Sequence, residues 1–207
     1  MSRPRTRPTR DETRQRLFAA AADVFASRGI GGGSIEAIAE AAGFTRGAFY
    51  SNFASKDDLI IEMLADHAEL SAERNRRLLD HYRDPVDFVA ASRTEVADEH
   101  DLLGRLPLLH MELILYVARS KERRPELAER LRARREMIAE IIAVTNKSAG
   151  PGRFVDPSSA GMLLALEDGF RLHRLIDPDE IPEDAFLQAV EDLQHAIGLH
   201  RSRADTH

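Results

Sequence analysis

Cysteine and tryptophan are missing from the 207 residues, and aromatic side chains make up only 6% of them. Without cysteine there is no disulfide framework and no thiolate to act as nucleophile or metal ligand. No apolar run approaches the roughly 20 residues that a membrane-crossing helix needs. The start, "MSRPRTRPTRDETRQRL", is positively charged but leads into no apolar stretch. It does not read as a secretory signal, and the expectation is a cytoplasmic chain with no membrane partner. An alternating β pattern is absent throughout, as is any internal repeat. "GIGGGS" (Gly29–Ser34) resembles a phosphate-cradling loop, but it follows a helical pattern and lacks the full glycine spacing and the downstream lysine. No metal triad or nucleophile elbow is found either, so the chain is not expected to be an enzyme, to hold a metal or to need a cofactor.

Charge is present in quantity and is unevenly placed. The chain carries −6 overall, yet its first 60 residues hold nine Lys/Arg against seven Asp/Glu, a net of +2, leaving −8 on the rest. Six of those nine are Arg3, Arg5, Arg7, Arg10, Arg14 and Arg16. A basic arm on a small head with an acidic body suits a protein whose head meets nucleic acid. On charge alone, residues 1–8 fit a solvated disordered tail equally well.

Helix signals dominate the remainder. Thr9 and Glu12 fit a capping box, followed by Leu17, Ala21, Val24 and Phe25 at helical spacing. Gly29 is expected to end that helix, and the glycines after it to form a connector. Ser34 then caps a two-turn helix with Ile35, Ile38, Ala39 and Ala42, broken by Gly43. Thr45 opens a very short helix, and Ser55 with Asp58 starts a long one carrying Leu59, Met63, Leu70 and Leu78–Leu79. Further starts place proline just inside a helix at Pro85, Pro125, Pro157 and Pro182. Leu106–Ala118 reads as a largely buried helix, and Leu127, Leu131, Ile138 and Ile141–Ile142 give the next an apolar stripe. Asn146–Pro157 reads as a long loop, Asp98–Asp101 ("DEHD") as a solvated helix end, and Arg119–Arg124 as a polar one. The predicted fold is all-α.

The aromatics concentrate in "GFTRGAFYSNF" (Gly43–Phe53). Short helices separated by a glycine turn and followed by a long helix form a helix-turn-helix layout, in which the third helix enters the major groove of DNA. Such a short helix is unstable alone, so its aromatics must anchor it. "SIEAIAEAAGFTRGAFYSNFASKDDL" (Ser34–Leu59) resembles the DNA-binding signature of the TetR family of bacterial one-component repressors. The match runs through Ile38-Ala39, Ala42-Gly43, Thr45, Gly47, Phe49-Tyr50, Ser51-Asn52-Phe53 and Ser55-Lys56-Asp57-Asp58-Leu59. Asn52 stands where the family usually has His, and Phe49 where Leu is commoner. The resemblance is strong over residues 10–60; beyond them only length and helix pattern agree.

The resemblance implies a helix-turn-helix head over residues 9–54 and a helical effector-binding and dimerisation body over 55–207, with 55–80 as connector. It implies double-stranded DNA as partner, contacted by Ser34, Phe44, Thr45, Arg46, Gly47, Tyr50, Ser51, Asn52 and Lys56. Tyr50 resembles the family's phosphate-contacting tyrosine, and Ser34, Asn52 and Lys56 resemble further phosphate contacts. Arg46 fits either a guanine edge or a phosphate. Phe49 and Phe53 are expected in the core, while Phe44 fits either the core or a thymine methyl. A homodimer is implied through the last two helices, with Gly161, Ala165, Gly169, Phe186, Val190, Leu193 and Ile197 as interface candidates. His110, Glu112, Tyr116, Phe170 and His173 are candidates for contact with an unknown small-molecule effector. The function implied is a ligand-responsive repressor at a palindromic operator; the alternative is a constitutive or activating regulator without an effector.

Overall fold

The computed structural model describes residues 8–94, 101–148 and 156–193. Within them there are helices and turns and no strand. Helix α1 (Arg10–Gly32) opens on a complete capping box: the Thr9 hydroxyl accepts from the Glu12 N–H, and the Glu12 carboxylate accepts from the Thr9 N–H at 2.7 Å. Its regular course breaks at Gly29, whose φ is 70°. The connector is therefore less loose than its glycines imply, because Ile30 is buried and one more helical turn precedes Gly33.

Helices α2 (Ile35–Ala41) and α3 (Arg46–Tyr50) follow, then α4 (Lys56–His81), α5 (Pro85–Thr94), α6 (Leu102–Arg105), α7 (Pro107–Arg119), α8 (Arg124–Ser148) and α9 (Ala160–Ile176). Residues 185–193 form α10, so its described start lies three residues after Pro182. Pro157 opens a short 3-10 turn capped by Asp156 ahead of α9. Residues 1–7 of the expected basic arm, most of the expected 146–157 loop, and Ile197 lie outside the described residues.

Packing divides the chain into two compact units. Among the described residues, 8–67 and 101–127 form the first, and 68–94, 128–148 and 156–193 form the second. The sequence reading places a functional boundary at 54/55, whereas packing joins α6 and α7 to the head and lets α4 serve both units. The first unit has its own core: Leu17, Phe25, Ile38, Phe49, Leu59, Ile60, Leu103 and Leu113 are fully enclosed. The second is built on Leu78, Phe88, Val89, Ile142, Leu163 and Val190.

Two apolar expectations are revised by burial. Helix α7 buries Leu109, His110, Leu113 and Val117 but leaves Leu108 and Leu115 more than half exposed, so one face of this nearly all-apolar helix is open. On α8, Leu131 is exposed although Leu127 and Ile142 are buried. Asp101 is also unlike the expected solvated end. It is 2% exposed, accepts from the Gly104 N–H to cap α6, and lies 2.6 Å from His67 Nδ1. Arg123, expected on a plain polar end, bridges Asp58 and Glu126.

Candidate nucleic-acid interface

The site is assembled by local backbone rules. The Ser34 hydroxyl caps α2 by accepting from the Ala37 N–H. At the other end, Gly43 adopts φ 72°, the Gly43 N–H donates to Glu40 and the Phe44 N–H to Ala39 at 2.8 Å. This is the paired closure that a left-handed glycine makes after a helix. It reverses the chain within two residues, and Thr45 then caps α3 by accepting from the Ala48 N–H at 3.2 Å.

Only five residues long, α3 cannot hold itself together, and its core side supplies what it lacks. Phe49 is fully enclosed, with its ring 5.6 Å from Phe53, which lies 5.6 Å from Phe18 of α1. The Arg14 guanidinium lies over both Phe18 and Phe53 and pairs with Glu62. Aromatic anchoring thus links α1, α3 and the start of α4.

The opposite side of α3 is solvent-facing. Ser34, Thr45, Arg46, Gly47, Tyr50 and Ser51 are all exposed. Arg46 leads this face, with Nη2 donating to the Tyr50 oxygen at 3.3 Å and Nη1 lying 3.0 Å from Glu36 Oε1. Its guanidinium stands 5.4 Å from the centre of the Tyr50 ring. The Tyr50 hydrogen bond, then Tyr50 and Glu36 charge, hold the Arg46 pKa above its ordinary value. Arg46 therefore presents a permanent cation at the start of a helix, beside hydroxyls and backbone N–H groups able to meet an anion.

Three expected contacts are placed differently. Lys56 is turned inward, its Nζ donating to the Ile30 and Gly33 carbonyls at 2.8 and 3.1 Å, 6.0 Å from the Tyr116 ring centre. A cation committed to two carbonyls closes the α1–α2 junction and has little left for a phosphate. Asn52 is half-buried, donates to the Ala48 carbonyl at 2.8 Å and leaves Oδ1 buried without a partner among the described residues. Phe44 is half-buried against the core beneath Arg16, whose guanidinium is 4.6 Å from the ring centre and donates to the Ala42 carbonyl. That is an anchor's position.

The effector candidates fall in both units. His110 is buried, its ring 4.5 Å from His67, and the Tyr116 hydroxyl donates to Asp57 at 2.9 Å. Both are used within the first unit, whereas Glu112 and His173 are exposed and Phe170 is half-buried on α9. A cavity lined by Phe18, Met63, Asp66, His67, Leu102 and Leu103 measures about 10 Å³, room for one water molecule. Among interface candidates, Val190 is buried in its own unit's core, with Phe186 and Leu193 packed against that core. The position for a Cβ on Gly161 is 3.7 Å from Arg135 of α8. Ala165 is exposed and Gly169 faces open space.

Sequence reasoning missed Glu36 beside Arg46, Arg16 over Phe44 and Asp57 beneath Tyr116. None of these pairs leaves a periodic signal, since each joins different elements.

Comparison with known proteins agrees with this geometry. Residues 17–63 match the family described as bacterial regulatory proteins, tetR family, and residues 83–196 match the tetracyclin repressor-like C-terminal domain. The chain is 32% identical over 74 residues to the transcriptional repressor KstR2 of Mycolicibacterium smegmatis, covering 36% of each chain. It is 25% identical over 139 residues to the regulator UidR of Escherichia coli, covering 66% of each. These matches therefore span about a third and just under two thirds of the curated relatives. The crystal structure of NalD, described as the secondary repressor of the MexAB-OprM multidrug efflux pump in Pseudomonas aeruginosa, superposes with a TM-score of 0.62 at 25% identity, over 91% of this chain and 97% of NalD.

Proposed function

The chain belongs to the tetR family of bacterial regulatory proteins, and from that premise we propose that it is a DNA-binding transcriptional regulator that represses at an inverted-repeat operator as a two-fold dimer. The observation that carries this reading is α3 itself: a five-residue helix anchored by Phe49, presenting Thr45, Arg46, Gly47, Tyr50 and Ser51 to solvent. A helix this short, buried on one side and polar on the other, fits the major groove. Arg46 and Thr45 lead it toward base edges and phosphates, with the Ser34 and Tyr50 hydroxyls at the flanking phosphate backbone. Gly47 lets the helix come close to the duplex.

Dimerisation is supported by α9. Met162, Ala165, Leu166, Leu172 and Ile176 are exposed at helical spacing, Ile176 to 75%, with Gly169 open between them. A stripe of this kind is covered most economically by its own two-fold copy. Of the two helices expected at the interface, this stripe favours α9, since Val190 of α10 is buried in its own unit's core.

Effector release is the finer part of the proposal. A small molecule held in the body would favour one of two states and so lower operator affinity by its differential binding. NalD and KstR2 are described as repressors, which supports repression here over activation.

Selection of bound duplexes from a random pool by the purified protein tests the reading. The expected product is an inverted repeat with half-sites about 34 Å apart, one helical turn, bound with steep salt dependence. No enriched sequence at low salt would overturn it.

A further inference from the structure

Glu36 is the one acidic residue in the first turn of α2, and it stands exposed on the side of the motif where Arg46 stands. A carboxylate there is unexpected on a surface meant for phosphates, since it repels them wherever it is not neutralised. Its neutralising partner is Arg46, 3.0 Å away on α3, and both side chains are more than half exposed. An ion pair so exposed contributes little to folding. The first turn of α2 favours a carboxylate modestly, but that does not call for Arg46 beside it, and the position of the pair on the α3 face gives a functional reason.

The guanidinium has five N–H donors in one plane. One points to Glu36 and one to Tyr50, while the Tyr50 ring lies beneath. Among the described residues nothing takes the other three donors, enough for a bidentate contact with the O6 and N7 acceptors of guanine. Held from two sides, the side chain has surrendered much of its rotamer freedom before DNA arrives, so less is lost when a base is read. The carboxylate also discounts the sequence-independent part of binding. An unrestrained Arg46 could swing to any phosphate and displace a counterion, whereas the paired one has a carboxylate beside it that repels the same phosphate. Discrimination improves when attraction for wrong sites is withheld as well as when the right site is favoured.

We propose that Glu36 is a specificity-determining positioning residue, which aims Arg46 at a base pair and withholds it from non-specific phosphate contact. The inference rests on the reading of α3 as the base-reading helix.

The test uses the full-length protein with a duplex selected by the wild type, its single-base-pair variants and a scrambled duplex, over a range of salt. Glu36→Ala is expected to bind the scrambled duplex several-fold more tightly. The slope of log affinity against log salt should steepen by about 0.9, the value for one further phosphate neutralised. At the base pair read by Arg46, discrimination should fall about fivefold or more, the lower end of what a bidentate contact supplies. Glu36→Gln, which keeps the shape and an acceptor but not the charge, should steepen the slope while losing less discrimination. Thermal melting should fall only slightly and alike in both, because the pair is exposed and only the carboxylate's place in the first turn of α2 is lost. In an Arg46→Ala background, Glu36→Ala should leave discrimination at that base pair unaffected. Unchanged slope and base preference in Glu36→Ala would overturn the inference, as would an equal effect of Glu36→Ala without Arg46. Failure of the wild type to select any duplex overturns the functional reading and this inference together. A wild type that selects while Glu36→Ala behaves identically overturns the inference alone.

Discussion

Tyr116 shows how a single side chain ties α7 to the start of α4. Its hydroxyl donates to Asp57 at 2.9 Å, and its ring lies beside Lys56. Burial first, then the Asp57 hydrogen bond, raises the phenol's pKa above the ordinary tyrosine value. A group whose folded pKa is raised contributes stability below its unfolded value and loses it as pH climbs through the folded one. In a spectrophotometric titration, part of the phenolate signal should therefore appear later than ordinary tyrosine ionisation, and Tyr116→Phe should remove that part. The variant should lose about 0.5–1.5 kcal/mol at neutral pH, the usual worth of one hydrogen bond, and the deficit should shrink in strong alkali. A titration curve unchanged by the substitution would contradict this account of Tyr116. Two glycines make a second residue-scale contrast. Gly43→Ala is expected to cost about 1–2 kcal/mol for its left-handed backbone alone, because the new Cβ meets only the flexible end of Arg16 at 3.4 Å. Gly33→Ala would press a Cβ to 2.7 Å from the Phe25 ring. Phe25 is 1% exposed and cannot step aside, so overpacking of about 1–3 kcal/mol adds to any backbone term and folding strain spreads into the core. Urea denaturation should show α1 packing disturbed in Gly33→Ala alone, as a changed near-ultraviolet spectrum of the native state.

At the scale of elements, α3 depends on what lies behind it. Phe49→Ala should remove about 3–5 kcal/mol of stability and abolish DNA binding with it, whereas Phe49→Leu should fold and bind. Equal loss of binding in Phe49→Leu without loss of stability would place Phe49 at the DNA and contradict its role as anchor. The turn and caps around this helix were legible in the sequence because each is set by residues two to four apart: Ser34 over Ala37, Thr45 over Ala48, Gly43 closing on Glu40 and Ala39. Phe49 and Phe53 were legible as core for the same reason. Lys56, Asn52 and Phe44 were not, because spacing locates a side chain on a helix but leaves open which carbonyl, amide or ring from another segment receives it. Asp101 read as solvated from its acidic neighbours, yet His67, 34 residues away in sequence, accompanies it into the interior. Helix α7 likewise declares its apolar character in sequence, but not that Leu108 and Leu115 stay uncovered.

For the whole molecule, the proposed function needs a head that reads duplex DNA and an α9 stripe that pairs two chains. Leu166→Arg puts a charge in the middle of that stripe, and sedimentation should then show monomers where the wild type shows dimers. Thermal stability of the isolated protomer should hold, since Leu166 is already exposed. A Leu166→Arg protein that sediments as the wild type does would move the interface elsewhere. The measurement closest to the central claim is equilibrium binding of the wild type, Arg46→Ala and Tyr50→Phe to the selected duplex and each of its single-base-pair variants. Arg46→Ala should lose about 1–3 kcal/mol of discrimination at one base pair in each half-site and keep its preferences elsewhere. Tyr50→Phe should weaken binding to every duplex and, because its hydroxyl also holds Arg46, give up a smaller part of the discrimination at that same base pair while preferences elsewhere stay as they are. An Arg46→Ala protein with the full wild-type pattern of base preference would contradict the claim that α3 reads the sequence.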